Sequence, residues 1–195
     1  LNINQAGFRR GRSTSEQVTR VTQHIFDGLQ NHKRSLAVYV DFTAAYDKVW
    51  RTNLYVKMAA LNIPTCVIKW VKALLSDRYA YVNWHGTKSC KRRFDFGVPQ
   101  GSVLAPLLWL IYVNDIIADI PPELREKFII SLFADDFAII TQGSDLKECE
   151  VVMQKVLDYV QKWTEKNKVQ ISITNDESSK TVACYYTKDV YEVNG

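Results

Sequence analysis

Residues 128–140, FIISLFADDFAII, are apolar throughout except for Asp135 and Asp136 and the small polar Ser131. The flanks are short and rich in β-branched and aromatic residues, which suits two buried strands. Burying one uncompensated carboxylate costs several kcal/mol, and a like-charged neighbour raises that cost. The run must therefore fold as a hairpin with the acidic pair at its tip. There the pair is either solvated or held beside something strongly positive.

A second apolar run, SLAVYVDF, reads as a buried strand ending near Asp41. If the two strands are neighbours, three carboxylates meet at one sheet edge. Clustered hard oxygens are what Mg²⁺ prefers. Two such ions about 3.5–4 Å apart can activate an attacking hydroxyl and stabilise a leaving pyrophosphate. Spacing alone leaves a solvated turn and a metal site both open.

The remaining pattern gives an α+β sheet with helices on one face rather than a parallel α/β fold. Ser13 and Glu16 have capping-box spacing ahead of a helix whose inner face carries Val18, Val21, Ile25 and Leu29. Two helices are expected at 53–61 and 64–76, the second burying Val67, Val71 and Leu74. A strand pair should turn at His85-Gly86, and APLLWLIYVNDI should form a buried helix with Pro106 in its first turn. Residues 145–166 form an amphipathic helix with Leu146, Val152, Val156, Val160 and Trp163 inside. VQISI and TVACYYT close the sheet.

Composition is that of an ordinary globular domain, 47% hydrophobic and 24% charged, which excludes a disordered or fibrous chain. The 195 residues suffice for one domain with a sizeable core. A net charge of +4 is permissive for a nucleic-acid partner. Its clusters, Arg9-Arg10-Arg12 and Lys88-Lys91-Arg92-Arg93, say more than the total. The four cysteines are scattered without zinc-ligand spacing, so reduced thiols in an intracellular, soluble protein are expected. The longest apolar run falls well short of the roughly 20 residues that span a bilayer.

Four segments in order resemble the reverse transcriptases of non-LTR, LINE- or jockey-like retrotransposons. They are QAGFRRGRSTSEQ (5–17), VYVDFTAAYDKVW (38–50), GVPQGSVLAPLLWLIYVNDI (97–116) and SLFADDFAII (131–140), followed by SSKT (178–181). The resemblance implies a right-hand polymerase palm, a mainly antiparallel sheet backed by helices, with part of the fingers. Residues 1–35 would be a finger remnant and 36–195 mostly palm, with a finger-side insertion around 50–95 and no thumb.

By that resemblance Asp41, Asp135 and Asp136 are the catalytic residues. They and the Phe42 carbonyl would bind two Mg²⁺ ions, with Mn²⁺ as an alternative. Phe42, Tyr46, Gln100, Gly101 and Lys180 would contact the nucleotide, Tyr46 as a gate against the ribose 2′-hydroxyl and Lys180 as a proton donor to pyrophosphate. Lys180 stands five positions after Asn175, a departure from the family's N-P-x-K-T. Arg9, Arg10, Arg12, Ser13, Gly97 and Pro99 would face template or primer. The implied partners are an RNA template, a DNA primer or target DNA, and dNTPs, with nuclear access and no membrane. The alternatives are an inactive or repurposed nucleic-acid-binding remnant, or a related palm RNA polymerase. The segment by itself is expected to be inactive.

Overall fold

The computed structural model describes residues 1–172 and 181–188. Its elements begin with α1 (Thr14–Gln30), β1 (Arg34–Val40), α2 (Ala45–Lys48), α3 (Arg51–Ala60) and α4 (Thr65–Leu75). Four two-residue strands follow: β2 (Tyr79–Ala80), β3 (Asn83–Trp84), β4 (Thr87–Lys88) and β5 (Arg92–Arg93). The second half holds α5 (Ala105–Val113), α6 (Pro122–Arg125), β6 (Phe128–Phe133), β7 (Asp136–Gly143), α7 (Leu146–Asn167) and β8 (Val182–Tyr186).

The main sheet has the order β6-β7-β1-β8 and is antiparallel between all neighbours. Side chains alternate across it as the pleat requires. Leu36, Val38 and Val40 of β1, with Phe137 and Ile139 of β7, enter the large core shared with α7. Ala37, Ala138 and Ile140 point the other way, against Val21 and Ile25 of α1. Both faces are thus covered, and the expectation of helices on one face only is corrected. The cause is α1, which crosses the opposite face from Gln17, beside Ser131, to Gly28, beside Ser35 and Gln142.

That stripe runs Gln17, Val21, Ile25 and Gly28, while Val18 is 64% exposed. The helix is rotated about one residue from the expected face because Gln17 has a buried partner, Ser131. The same rotation occurs in α4, where Val71 and Leu75 are buried and Val67 and Leu74 stay exposed. Capping follows the sequence more closely. Ser13 accepts a bond from the Glu16 amide at 3.2 Å, and Asp145 caps α7 through the Glu148 amide at 2.8 Å. The VQISI strand is reduced, among the described residues, to a single bridge between Phe42 and Ile171. α5 is apolar around its whole circumference and buried from Leu108 to Val113.

Two buried cations join the helical layer. Arg51 donates to the carbonyls of Gly97, Leu75 and Phe96 at 2.8, 2.7 and 2.7 Å. It thereby ties α3 to the end of α4 and to the loop before α5. Lys57 donates to the Tyr112 carbonyl at 2.7 Å and pairs with Asp115. Its ammonium lies 4.8 Å from the ring centres of both Tyr112 and Trp163. Arg51→Met should destabilise the fold by about 3 kcal/mol, since it orphans three carbonyls in a buried place. The midpoint of urea unfolding reads this, and an unchanged midpoint would show the three bonds to be dispensable. No helix among the described residues is long and apolar enough to cross a membrane.

Candidate active site

Pairing register places the acidic residues. Val40 at the end of β1 faces Phe137 of β7, so Asp41 emerges next to Asp136 at the same sheet edge. Phe133 and Asp136 close the β6–β7 hairpin, leaving Ala134 and Asp135 as a two-residue turn. Ala134 sits in the left-handed region, with φ of 56°, a conformation that costs a non-glycine residue energy unless neighbours hold it.

The neighbours that hold it come from elsewhere in the chain. Gln5, only 2% exposed, accepts the Ala134 N–H on Oε1 at 3.0 Å and donates from Nε2 to the Ala134 carbonyl at 3.2 Å. Its Oε1 also accepts the Gly7 N–H at 2.7 Å, which fixes the orientation of the amide. Trp109 Nε1 donates to the same Ala134 carbonyl at 2.9 Å. Segment 4–6 runs parallel to β6, with Ala6 N–H donating to the Leu132 carbonyl and Leu132 N–H to that of Asn4, at 2.9 and 3.0 Å. Gly7 is required by contact: a Cβ there would lie 2.1 Å from the Ala134 nitrogen.

On the other side of β1, Ser172 N–H donates to the Asp41 carbonyl and Thr43 N–H to the Gln170 carbonyl, both at 2.8 Å. Alternate residues of such a ladder turn their backbone groups to opposite sides. The Phe42 N–H and carbonyl therefore face away from residues 170–172, toward the β7 side that carries Asp136. The Phe42 ring is buried against Trp109, Phe137 and Trp163 at 5.5, 5.3 and 6.1 Å between centroids, which anchors this backbone.

Two clefts open at the edge. One, of ≈ 370 Å³, is lined by Asp41 and Asp136 together with Gln17, Tyr39 and Ser131. The other, of ≈ 520 Å³, is lined by Asp135, Tyr46, Phe8, Gln100 and Gly101. The acidic turn is the wall between them. Among the described residues, no three of His, Cys, Asp and Glu are grouped so as to hold a metal ion as they stand.

Tyr46 rests on Trp109 with ring centres 5.9 Å apart. Burial, and secondarily the charge of Asp135, pushes its phenol above the ordinary value, so the hydroxyl stays protonated at neutral pH. The loop carrying Gln100 is fitted to α2: Gly97 N–H donates to the Val49 carbonyl and Val98 N–H to that of Tyr46, at 2.8 and 2.9 Å. Gly97 has φ of 80°, and a Cβ there would meet Asp47 backbone atoms at 2.9 Å. Gln100 Nε2 donates to Asp47 at 3.3 Å, and Pro99 accepts the Ser102 N–H at 3.0 Å.

The basic cluster divides. Arg9 donates to the Asn2 and Gln5 carbonyls at 3.0 and 3.1 Å, and Arg12 pairs with Glu16 and reaches the Ile3 carbonyl. Both therefore brace their own segment, and Ser13 is the α1 cap. Arg10 is exposed. Lys180 lies outside the described residues.

A family model described as reverse transcriptase (RNA-dependent DNA polymerase) matches residues 1–186. The chain belongs to the reverse transcriptase family. It is similar to the RNA-directed DNA polymerase from mobile element jockey of Drosophila melanogaster, 32% identical over 86% of this chain. It is also similar to the probable RNA-directed DNA polymerase from transposon BS of the same species, 33% identical over 84%. This reverse transcriptase chain spans 18% of the length of each. Among solved structures, telomerase from Candida tropicalis in complex with a TWJ fragment of telomeric RNA matches with a TM-score of 0.68 at 17% identity. The match covers 93% of this chain and 30% of that one. At that identity the likeness is one of fold, the α+β polymerase palm.

Sequence reasoning missed Gln5, Gly7 and Trp109 as supports of the acidic turn, Phe8 as a cleft wall, and Arg51 as the anchor of the Gly97 loop. Both Gln5 and Gly7 lie in the segment QAGFRRGRSTSEQ, which carries the family resemblance. Nothing in their spacing identifies the turn they hold, which lies more than a hundred residues away.

Proposed function

We propose that this chain is the catalytic core of an RNA-directed DNA polymerase of a non-LTR retrotransposon. It would add a deoxynucleotide from a dNTP to a primer 3′-hydroxyl, directed by an RNA template. The observation that carries the reading is the β1–β7 register, which sets Asp41 beside the Asp135-Asp136 turn in a chain of this family.

The donor set fits divalent magnesium or manganese: three short carboxylates, with the Phe42 carbonyl turned to the same side. Asp41, Asp135 and Asp136 would hold two ions between the clefts. When bound, such ions acidify the primer hydroxyl and neutralise charge on the departing pyrophosphate. The protein's own part is placement and charge, with little covalent work.

Tyr46, braced by Trp109 at the wall of the Asp135 cleft, would fill the space of a ribose 2′-hydroxyl. Gln100 and Gly101 border the same cleft and would meet the nucleotide base and sugar, with Lys180 assigned to the pyrophosphate. Arg10 is the member of its cluster available to a template or primer phosphate. In this reading residues 1–35 belong to the finger side, 36–195 mostly to the palm, and 50–95 form a finger-side insertion. Copying at a chromosomal target implies access to the nucleus.

The test is primer extension on an RNA template by the polymerase that contains this chain, with Mg²⁺ and either dNTPs or rNTPs. Extension with dNTPs is expected, and Tyr46→Val should relax discrimination against rNTPs by about tenfold or more. Extension from rNTPs alone by the unaltered enzyme would sink the proposal, as would unchanged selection in the variant for the gate.

A further inference from the structure

Between α4 and the Gly97 loop the chain leaves the body as a narrow arm. Tyr79 and Ala80 of β2 pair with Arg93 and Arg92 of β5. Beyond them Asn83 and Trp84 of β3 pair with Lys88 and Thr87 of β4, around a turn at His85-Gly86 with positive φ at both residues. The bond from Ser89 N–H to the Val82 carbonyl, at 2.9 Å, joins the two ladders, and Phe94 N–H to the Arg78 carbonyl closes the base at the same distance.

Every residue from 79 to 96 is exposed. Scattered exposed apolar residues are normal, but here large ones are concentrated. Trp84 is 73% exposed, Val82 68%, Tyr79 55%, Phe94 50%, Phe96 46% and Tyr81 44%. None of these lines either cleft beside the aspartates. The aromatic rings contribute nothing to the core, so folding does not explain them.

Cations are interleaved with the rings. Arg78, Lys88, Lys91, Arg92 and Arg93 stand against only Asp77 and Asp95 at the base, and Asp95 is bound to Arg93 at 2.8 Å. Arg93 lies directly across from Tyr79, and Lys88 Nζ is 5.0 Å from the Tyr81 ring centre. Alternating rings and cations along an exposed ribbon match two features of one ligand: flat base faces to stack on, and phosphates to neutralise. A protein interface would also favour the rings and arginines, but its buried centre is depleted of lysine, which Lys88 and Lys91 supply here.

We propose that residues 78–96 form a binding arm for single-stranded nucleic acid, separate from the catalytic clefts. A duplex keeps its base faces stacked and offers only its phosphates, so the arm prefers an unpaired strand. Tyr79, Tyr81 and Trp84 stack on bases while Lys88, Lys91 and Arg92 follow the backbone. RNA and DNA strands share this chemistry. The proposal does not rest on the polymerase reading.

The 195-residue chain itself is the material for the test, without metal or dNTPs. Fluorescence anisotropy of labelled oligo(U) and oligo(dT) reads binding, with an unlabelled duplex of equal length as competitor. Tyr81→Ala/Trp84→Ala is expected to weaken binding by about tenfold or more. Lys88→Ala/Arg92→Ala should lower the log–log salt slope by about 1.4, at roughly 0.7 per phosphate. Tighter binding of oligo(U) than oligo(dT) would assign the arm to the template, and the reverse to a displaced DNA strand; either supports the arm. Equal affinity of the wild type and the aromatic double variant would overturn the proposal, as would full competition by the duplex. Loss of self-association in the aromatic variant, with oligonucleotide binding unchanged, would hand the surface to a protein partner instead. Because no catalysis is measured, failure here leaves the polymerase reading untouched, and the converse also holds.

Discussion

Asparagine at position 135 is expected to lower primer extension by about a thousandfold in the polymerase that contains this chain, with almost no change in stability. The carboxylate stands at the hairpin tip, partly exposed, and no described hydrogen bond of the fold depends on its charge. Removing that charge also relieves repulsion from Asp136, so the thermal midpoint should hold or rise slightly. Asp41→Asn should lower extension to a similar degree, because the register puts it at the same edge. Extension rates and melting curves on the same preparations check both halves. A variant that retained a tenth of the wild-type rate would remove Asp135 from the catalytic set. One that unfolded would make its role structural.

Alanine at position 7 should do the opposite, acting first on the fold. The new Cβ would sit 2.1 Å from a backbone nitrogen of the acidic turn, with no flexible side chain to yield. Either segment 4–7 leaves β6 or the turn shifts. We expect a loss of about 3–4 kcal/mol, read from the urea midpoint. Gln5→Ala removes the amide without the clash and orphans two backbone N–H groups, at a cost of about 2 kcal/mol. If the amide only supports the fold, Gln5→Ala should leave kcat intact in folded enzyme. If it positions Asp135, kcat should fall while the KM for dNTP stays close to the wild-type value. A Gly7→Ala protein with an unchanged midpoint would contradict the close contact altogether.

How much of this was legible in the sequence depended on whether the determining interaction was local. The acidic hairpin was readable because strand periodicity is short and two adjacent charges must escape an apolar run. Asp41 was placed by the same logic, and α7 by its repeating inner face, in which Met153 rather than Val152 is buried. Where a helix buries one polar residue, the apolar stripe misleads. Val18 looked inward, yet Gln17 took that place because Ser131 waits beneath it. In α4, Val67 and Leu74 are as apolar as Val71 and Leu75, and only the tertiary contact surface chooses between them. The Tyr46–Gln100 cleft could not be read from spacing; it came with the family resemblance. Arg51 and Gln5 left no pattern at all, because a side chain bonded to distant backbone carries no periodic signature.

The parallel pairing of residues 4–6 with the far end of β6 has a further consequence for how a larger polymerase is assembled. An edge strand normally advertises a row of amides and carbonyls that any extended chain can continue. Here that row is already claimed beside the aspartates. At Leu132 the edge is closed, so a neighbouring domain that meets the sheet beside the aspartates must do so through side chains and loops rather than by lending a strand.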